Sequence, residues 1–87
     1  MSDAVSNTIK DYIMREFLPG EDPGELTATT PLITGGILDS IAALKLVMFL
    51  EESYGVTFEA HEVSRDNLDT IASIVQLLVS KKPALAQ

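Results

Sequence analysis

The chain has 87 residues, enough for one small domain with a single hydrophobic core. Six basic residues face 13 acidic ones, so the formal net charge is −7, and the clustered Lys and Arg that bind nucleic acid or anionic membranes are missing. There is no cysteine, which excludes disulfides, thiolate catalysis and cysteine-ligated metal sites.

The first predicted helix covers residues 3–18, with Ser2 as its cap. Apolar residues recur at the spacing of one buried helical face, namely at Val5, Ile9, Tyr12, Ile13 and Phe17. Pro19-Gly20 is predicted to end the helix, and Pro23-Gly24 continues the break. A long loop over residues 26–39 follows, and long loops in compact domains are often functional. Its apolar side chains are expected to hold it against the helices: Leu32, Ile33, Ile37 and Leu38.

The second predicted helix, residues 40–54, is the central element of the sequence. Asp39 and Ser40 are both residue types that cap helix N-termini, and Gly55 is a typical stop signal. Ser40 is therefore expected where the loop becomes the helix, a position that favours anions because free N–H groups and the helix dipole point there.

This helix carries two apolar strips. One has the spacing of a core face and consists of Ala43, Leu46, Val47, Leu50 and Tyr54. The other, Ile41, Leu44 and Met48, is flanked by Lys45, Glu51 and Glu52. Either the second strip is an exposed docking surface, as apolar strips with polar borders usually are, or the helix is buried around most of its circumference. Phe49 fits neither strip.

Beyond Gly55, residues 56–58 are predicted to be extended, with Phe58 entering the core, and residues 59–64 to form a short helical turn containing Val63. Asp69 is the predicted cap of a last helix that ends before Pro83 with Lys81 and Lys82 near its C-terminus. The buried face of this helix is predicted to be Ile71, Ile74, Val75 and Leu78. The fold class is therefore all-α, a small four-helix bundle with three longer helices, one short helix and a long first loop. Residues 1–87 form one domain with a core over about 3–82 and a flexible tail at 83–87.

No catalytic constellation is present, so we expect no enzyme activity. His61 is the only histidine, and Glu59 and Glu62 beside it offer carboxylates without a fixed frame for a metal. Gly35-Gly36 is not followed by the Gly-Lys-Ser/Thr of a phosphate loop. Ser40 lacks the glycines of a nucleophile elbow and an evident base. Two roles for Ser40 remain: a simple helix cap, or a site modified by a phosphate-linked group.

The segment Gly36-Ile37-Leu38-Asp39-Ser40-Ile41 resembles the attachment motif of the phosphopantetheine-dependent carrier proteins, the acyl carrier protein-like family. The resemblance extends from about residue 9 to 78 and includes Asn67-Leu68-Asp69-Thr70-Ile71. It implies that Ser40 carries covalent 4'-phosphopantetheine, transferred from coenzyme A by a phosphopantetheinyl transferase. It also implies that Asp39 helps to place the magnesium ion of that transfer.

In such a carrier the thiol of the arm holds an acyl or aminoacyl group as a thioester, loaded by a ligase and used by a downstream synthase or transferase. The resemblance assigns partner docking to Ile41, Leu44, Met48, Glu51 and Glu52, and Lys45 lies within the same predicted docking surface. Fatty-acid carriers usually have Leu after the serine and acidic residues in the next turns, whereas this chain has Ile41, Ala42 and Lys45. Lys45 should repel an arginine-rich enzyme patch, so we expect a specialised pathway rather than bulk fatty-acid synthesis.

A competing hypothesis is a cofactor-free acidic module that docks a basic protein through Ile41, Leu44 and Met48. For either function, the absence of a secretory signal and of an apolar run near the ~20 residues that span a bilayer predicts a soluble cytoplasmic protein. We expect a monomer that binds neither nucleic acid nor membrane.

Overall fold

Four α-helices form the framework of the computed structural model, which describes residues 3–20, 24 and 26–86. They are α1 (Asp3–Phe17), α2 (Ser40–Tyr54), α3 (Arg65–Leu68) and α4 (Ile71–Lys81). Two 3-10 turns, Ala60–Glu62 and Pro83–Ala86, accompany them. No β-strand occurs among the described residues, so the predicted all-α bundle is confirmed.

The two ends of α2 follow from their local sequence. Asp39 caps the N-terminus, and its side chain accepts a hydrogen bond from the Ala42 N–H. At the other end Gly55 takes the left-handed conformation, with φ of 66°, and its N–H donates to the Glu51 carbonyl. This αL closure is the geometry that glycine adopts without strain. The predicted bounds of α2 are therefore confirmed.

The core lies where α1 packs against α2 and α4, and α3 packs against α4. Its buried apolar residues come from all four helices, the long loop and the segment after α2. They are Val5, Ile9, Ile13, Leu26, Leu32, Leu38, Ala42, Ala43, Leu46, Val47, Leu50, Phe58, Leu68, Ile71, Ile74, Val75 and Leu78. The predicted buried face of α4 is confirmed in full, and Phe58 enters the core as expected.

Three aromatic side chains form a smaller cluster beside this core. Phe49, which fitted neither predicted strip of α2, stacks on Tyr12 of α1 with ring centroids 4.0 Å apart and planes 14° from parallel. Phe17 meets the same Tyr12 ring edge to face at 5.8 Å. Phe49 therefore contributes to the contact between α1 and α2.

The predicted short helix over residues 59–64 is wrong in position. That segment holds only the 3-10 turn Ala60–Glu62, with Val63 directly after it, while the short α-helix begins at Arg65. Ser64 caps α3 through the Asn67 N–H, and a half-buried ion pair of 2.5 Å joins Lys81 of α4 to Glu62. The Ser64 cap therefore marks where the α-helical turn starts.

The ends of the chain differ in detail from the sequence predictions. Ser2, the predicted cap of α1, lies outside the described residues, as do Pro23 and Gln87. Pro83–Ala86 forms a 3-10 turn, and Leu85 is partly buried against the core. Flexibility of the tail stays a prediction.

Candidate functional site

Asp39 and Ser40 form the junction between the long loop and α2. Asp39 is the residue before the helix, and its Oδ1 accepts a hydrogen bond of 2.7 Å from the Ala42 N–H. Ser40 is the first helical residue, is exposed, and its hydroxyl makes no hydrogen bond with any residue that the structure describes. The suggestion that Ser40 caps the helix is therefore wrong, because Asp39 fills that role. The exposed Ser40 hydroxyl is thus left without a hydrogen-bond partner among the described residues.

Two glycines shape the loop that leads to this junction. A Cβ at Gly35 would collide with the carbonyl oxygen of Pro31, so only glycine fits there without a shift of the backbone. Gly36 has φ of 82°, a left-handed conformation that L-residues with side chains rarely adopt. The pair therefore allows a close turn just before Asp39 and Ser40.

Asp69 joins the middle of this loop to the connection between α3 and α4. Its Oδ1 accepts the N–H groups of Ile33 and Thr34 at 2.8 and 2.9 Å, and its Oδ2 accepts the Thr34 hydroxyl at 2.9 Å. The prediction that Asp69 caps the last helix is wrong, because Thr70 does so through the Ser73 N–H. Asp and Thr are both common caps, so the local sequence does not choose between them.

These hydrogen bonds also change the acidity of Asp69. The pKa of its carboxyl lies below the ordinary value, chiefly because the Thr34 N–H donates to the charged form. The Thr34 hydroxyl, the Ile33 N–H and the charge of Arg65 act in the same direction, against desolvation, which raises the pKa. The ionised carboxylate is therefore the form that holds the loop.

We expect Asp69→Ala to lower the melting temperature at pH 7, because it removes all three side-chain bonds to the loop. Since the folded pKa is lowered, the stabilisation is present above the unfolded pKa of about 3.9 and is lost as the pH falls through the folded pKa. The difference between wild type and variant should therefore shrink on acidification. Thermal unfolding of both proteins across that range measures it.

Asp66→Ala is the matched control for this substitution. Asp66 lies on α3, is exposed, and its side chain makes no hydrogen bond with the described residues. Its replacement should leave the melting temperature almost unchanged. If the melting temperature of Asp69→Ala stayed the same number of degrees below that of the wild type on acidification, the anchoring role of the carboxylate would be contradicted.

The second apolar strip of α2 is exposed along its whole length. Ile41, Leu44 and Met48 are 67%, 53% and 57% exposed, and they are the large apolar side chains that lie open among the described residues. Of the two alternatives for α2, the exposed strip is therefore the one observed. An apolar strip of this kind is typical of a surface that contacts another protein.

The charged residues around the strip are not equivalent. Lys45 and Glu52 are exposed, and neither side chain forms an ion pair within the described part of the chain. Glu51 is half-buried, and its Oε2 accepts the Phe58 N–H at 2.8 Å. One oxygen of the Glu51 carboxylate is therefore used in a hydrogen bond to the segment that follows α2.

A cleft of about 610 Å³ opens beside Ser40, between the start of α2, the loop and α3. Its apolar lining consists of Ile33, Leu38, Ala43, Val63 and Leu68. Its polar lining consists of Asp39, Ser40, Ser64 and Arg65. Arg65 was not singled out in the sequence, because no helix was predicted at residues 65–68 and a lone arginine there carries no local signal.

Other kinds of site are not assembled in this part of the chain. Among the residues that the structure describes, no three His, Cys, Asp or Glu side chains are grouped so that they could hold a metal ion. His61 is exposed on the 3-10 turn. In the same described ranges, every helix is too short or too polar to cross a membrane.

Comparison with known proteins gives this geometry a context. Residues 8–78 match the family described as a phosphopantetheine attachment site. The chain is 37% identical over 68 residues to a probable acyl carrier protein, PigG, of a Serratia species, which covers 78% of this chain and 77% of that protein. It is 29% identical over 73 residues to the D-alanyl carrier protein of Streptococcus pyogenes, covering 84% of this chain and 89% of the other.

A third relative is much longer than this chain. The lincomycin biosynthesis protein LmbN of Streptomyces lincolnensis is 39% identical over 62 residues, which cover 71% of this chain but 22% of LmbN. The residues matched to the family include the junction of Asp39 and Ser40, the exposed strip and the cleft.

Proposed function

This chain belongs to the phosphopantetheine attachment family, and on that premise we propose that Ser40 is the residue to which the arm is joined. The chain is a carrier protein with covalently attached 4'-phosphopantetheine. When bound, this arm supplies a terminal thiol that holds an acyl or aminoacyl group as a thioester. The observation that carries the assignment is the exposed Ser40 hydroxyl, which has no hydrogen-bond partner among the described residues.

The residues around Ser40 fit the group in two respects. The hydroxyl stands at the first position of a 15-residue helix, where backbone N–H groups and the helix dipole favour a phosphate. The open cleft beside it offers an apolar wall along which an attached chain can lie. The helix N-terminus suits the charge of a phosphodiester, and the open cleft leaves room beside the hydroxyl for the attached arm.

The proposed modification is a phosphoryl transfer catalysed by a separate phosphopantetheinyl transferase. The Ser40 Oγ attacks the pyrophosphate of coenzyme A at the phosphorus that bears the pantetheine, and adenosine 3',5'-bisphosphate leaves. The hydroxyl proton passes to a base of the transferase. Asp39 Oδ1 is occupied by the Ala42 N–H, whereas Oδ2 accepts no hydrogen bond from the described residues. Oδ2 would be the oxygen through which Asp39 could help to hold the magnesium ion of the transfer.

Partner enzymes are proposed to dock on α2 next to the arm. Their contact surface consists of Ile41, Leu44, Lys45, Met48, Glu51 and Glu52. The exposure of the apolar strip supports this, and so does its proximity to Ser40 on the same helix. The ligase that loads the arm and the enzyme that consumes the cargo would both use this surface.

We propose that the pathway is a specialised one. One relative is named for lincomycin biosynthesis and another as a D-alanyl carrier, and exposed Lys45 does not suit an arginine-rich enzyme surface. The proposal includes a monomer without catalytic activity of its own, located in the cytoplasm and independent of nucleic acid and membranes.

Intact mass measurement tests the attachment site directly. The purified protein, incubated with coenzyme A and a broad-specificity transferase, should gain the mass of one phosphopantetheine. Fragmentation should place that mass on the peptide that contains Ser40. A reaction without coenzyme A is the control, and either an unchanged mass or a modification on another serine would overturn the proposal.

A further inference from the structure

Arg65 is the basic side chain in the lining of the cleft beside Ser40. The remaining lining is apolar or consists of Asp39, Ser40 and Ser64. The Ser64 hydroxyl accepts a hydrogen bond from the Asn67 N–H and so caps α3. Among the described residues of the lining, the Arg65 guanidinium is therefore the single cationic partner for an anion that enters the cleft from Ser40.

Within the described part of the chain, Arg65 also differs from several other basic residues in having no hydrogen-bond or ion-pair partner. Arg15 pairs with Glu16, Lys81 pairs with Glu62, and Lys82 donates to the Tyr54 carbonyl. Arg65 is exposed and forms neither a hydrogen bond nor an ion pair with the described residues. Its charge influences Asp69, but that carboxylate is already engaged by Ile33 and Thr34.

We propose that the Arg65 guanidinium pairs with the phosphodiester of the arm on Ser40 and holds the first part of the arm over the cleft. This inference rests on the proposed attachment at Ser40. A planar guanidinium binds phosphate oxygens through two parallel hydrogen bonds, and such charge-assisted bonds are roughly twice as strong as neutral ones. Arg65 is thus a positioning residue: it acts on the direction of the arm, not on the chemistry of the cargo.

The apolar lining of the cleft gives the paired arm a surface to rest on. Val63 and Leu68 lie on the α3 side, and Leu38 lies on the loop side. The aliphatic part of the arm can cover these side chains once its phosphate is held at Arg65. The arm therefore spends less time in open solvent than it would on a helix with no cation nearby.

Amide NMR spectra of unmodified and modified protein test this proposal. Modification of the wild type should shift the amide signals of Val63 and Leu68, which line the cleft. Arg65→Gln should remove most of these shifts, and Arg65→Lys should restore part of them, because lysine keeps the charge but not the planar fork. About 1 M salt, at which the Debye length is about 3 Å, should weaken them in the wild type.

Arg15→Gln is the matched control, since Arg15 is an exposed arginine on α1 that belongs neither to the described lining of the cleft nor to the proposed docking surface. Its modified form should show the same shifts as modified wild type. Intact mass is recorded on every sample, so that a failure of the modification is distinguished from a failure of the Arg65 contact. A missing mass gain in the wild type would overturn the proposed function and this inference together. A normal mass gain with shifts unchanged in Arg65→Gln would overturn only the role of Arg65.

Discussion

Ser40→Ala is expected to abolish the gain of phosphopantetheine and to leave the fold intact. The variant lacks the oxygen that would form the phosphodiester. The side chain is exposed and without a hydrogen bond in the described residues, and Asp39 supplies the helix cap. Surface substitutions of this kind usually change stability by less than about 0.5 kcal/mol. Intact mass after incubation with coenzyme A and transferase, together with a thermal unfolding curve, measures both effects.

Ser53→Ala provides the matched control for this experiment. Ser53 is an exposed serine in the last turn of the same helix. Its replacement shows whether the loss of a serine elsewhere on α2 also prevents attachment of the arm. The control should gain mass as the wild type does. A full gain in Ser40→Ala would show that the hydroxyl is not the attachment point.

The same Ser40→Ala protein separates a carrier from a cofactor-free interaction module. A partner enzyme that acts on the arm or its cargo should turn over modified wild type and show no turnover with the Ser40→Ala variant. A partner that only contacts Ile41, Leu44 and Met48 should bind both proteins equally well. Binding measured by calorimetry alongside turnover distinguishes these results.

Much of the site was predictable because it lies on one long amphipathic helix. In α2 the 3.6-residue period separates Leu46 and Leu50, which are buried, from Leu44 and Met48, which are exposed. Local signals also determine the helix ends, with an Asp before the first turn and a Gly after the last. Periodicity and capping depend on residues that are close together in the chain, so they can be recognised from a single sequence.

The remaining features depend on contacts between distant residues, which local patterns do not encode. Asp69 binds Ile33 and Thr34, 36 and 35 positions earlier in the chain. Nothing in the residues around Asp69 distinguishes that role from capping, and the cleft that brings Arg65 to the side of Ser40 exists only when loop, α2 and α3 are assembled. The anchoring role of Asp69 and the place of Arg65 in the cleft were therefore what sequence reasoning missed.

Leu50→Ala and Leu46→Ala are each expected to destabilise the fold by about 2–5 kcal/mol, the cost typical of removing a fully buried leucine side chain. Both residues are 0% exposed and lie in the core between α2 and its neighbours. Leu44→Ala and Met48→Ala remove side chains that are more than half exposed, so the free energy of unfolding should change little. Urea unfolding of the four variants measures these differences.

Leu44→Ala serves as the control for Leu50→Ala, since the two substitutions are chemically identical and lie on one helix. If the exposed strip is a docking surface, Leu44→Ala and Met48→Ala should slow loading by partner enzymes although their free energies of unfolding stay close to that of the wild type. Leu50→Ala should act mainly through the population of folded protein, so its loading defect should diminish at temperatures well below its melting point. Equal unfolding free energies for all four variants would contradict the division of α2 into a buried face and an exposed strip.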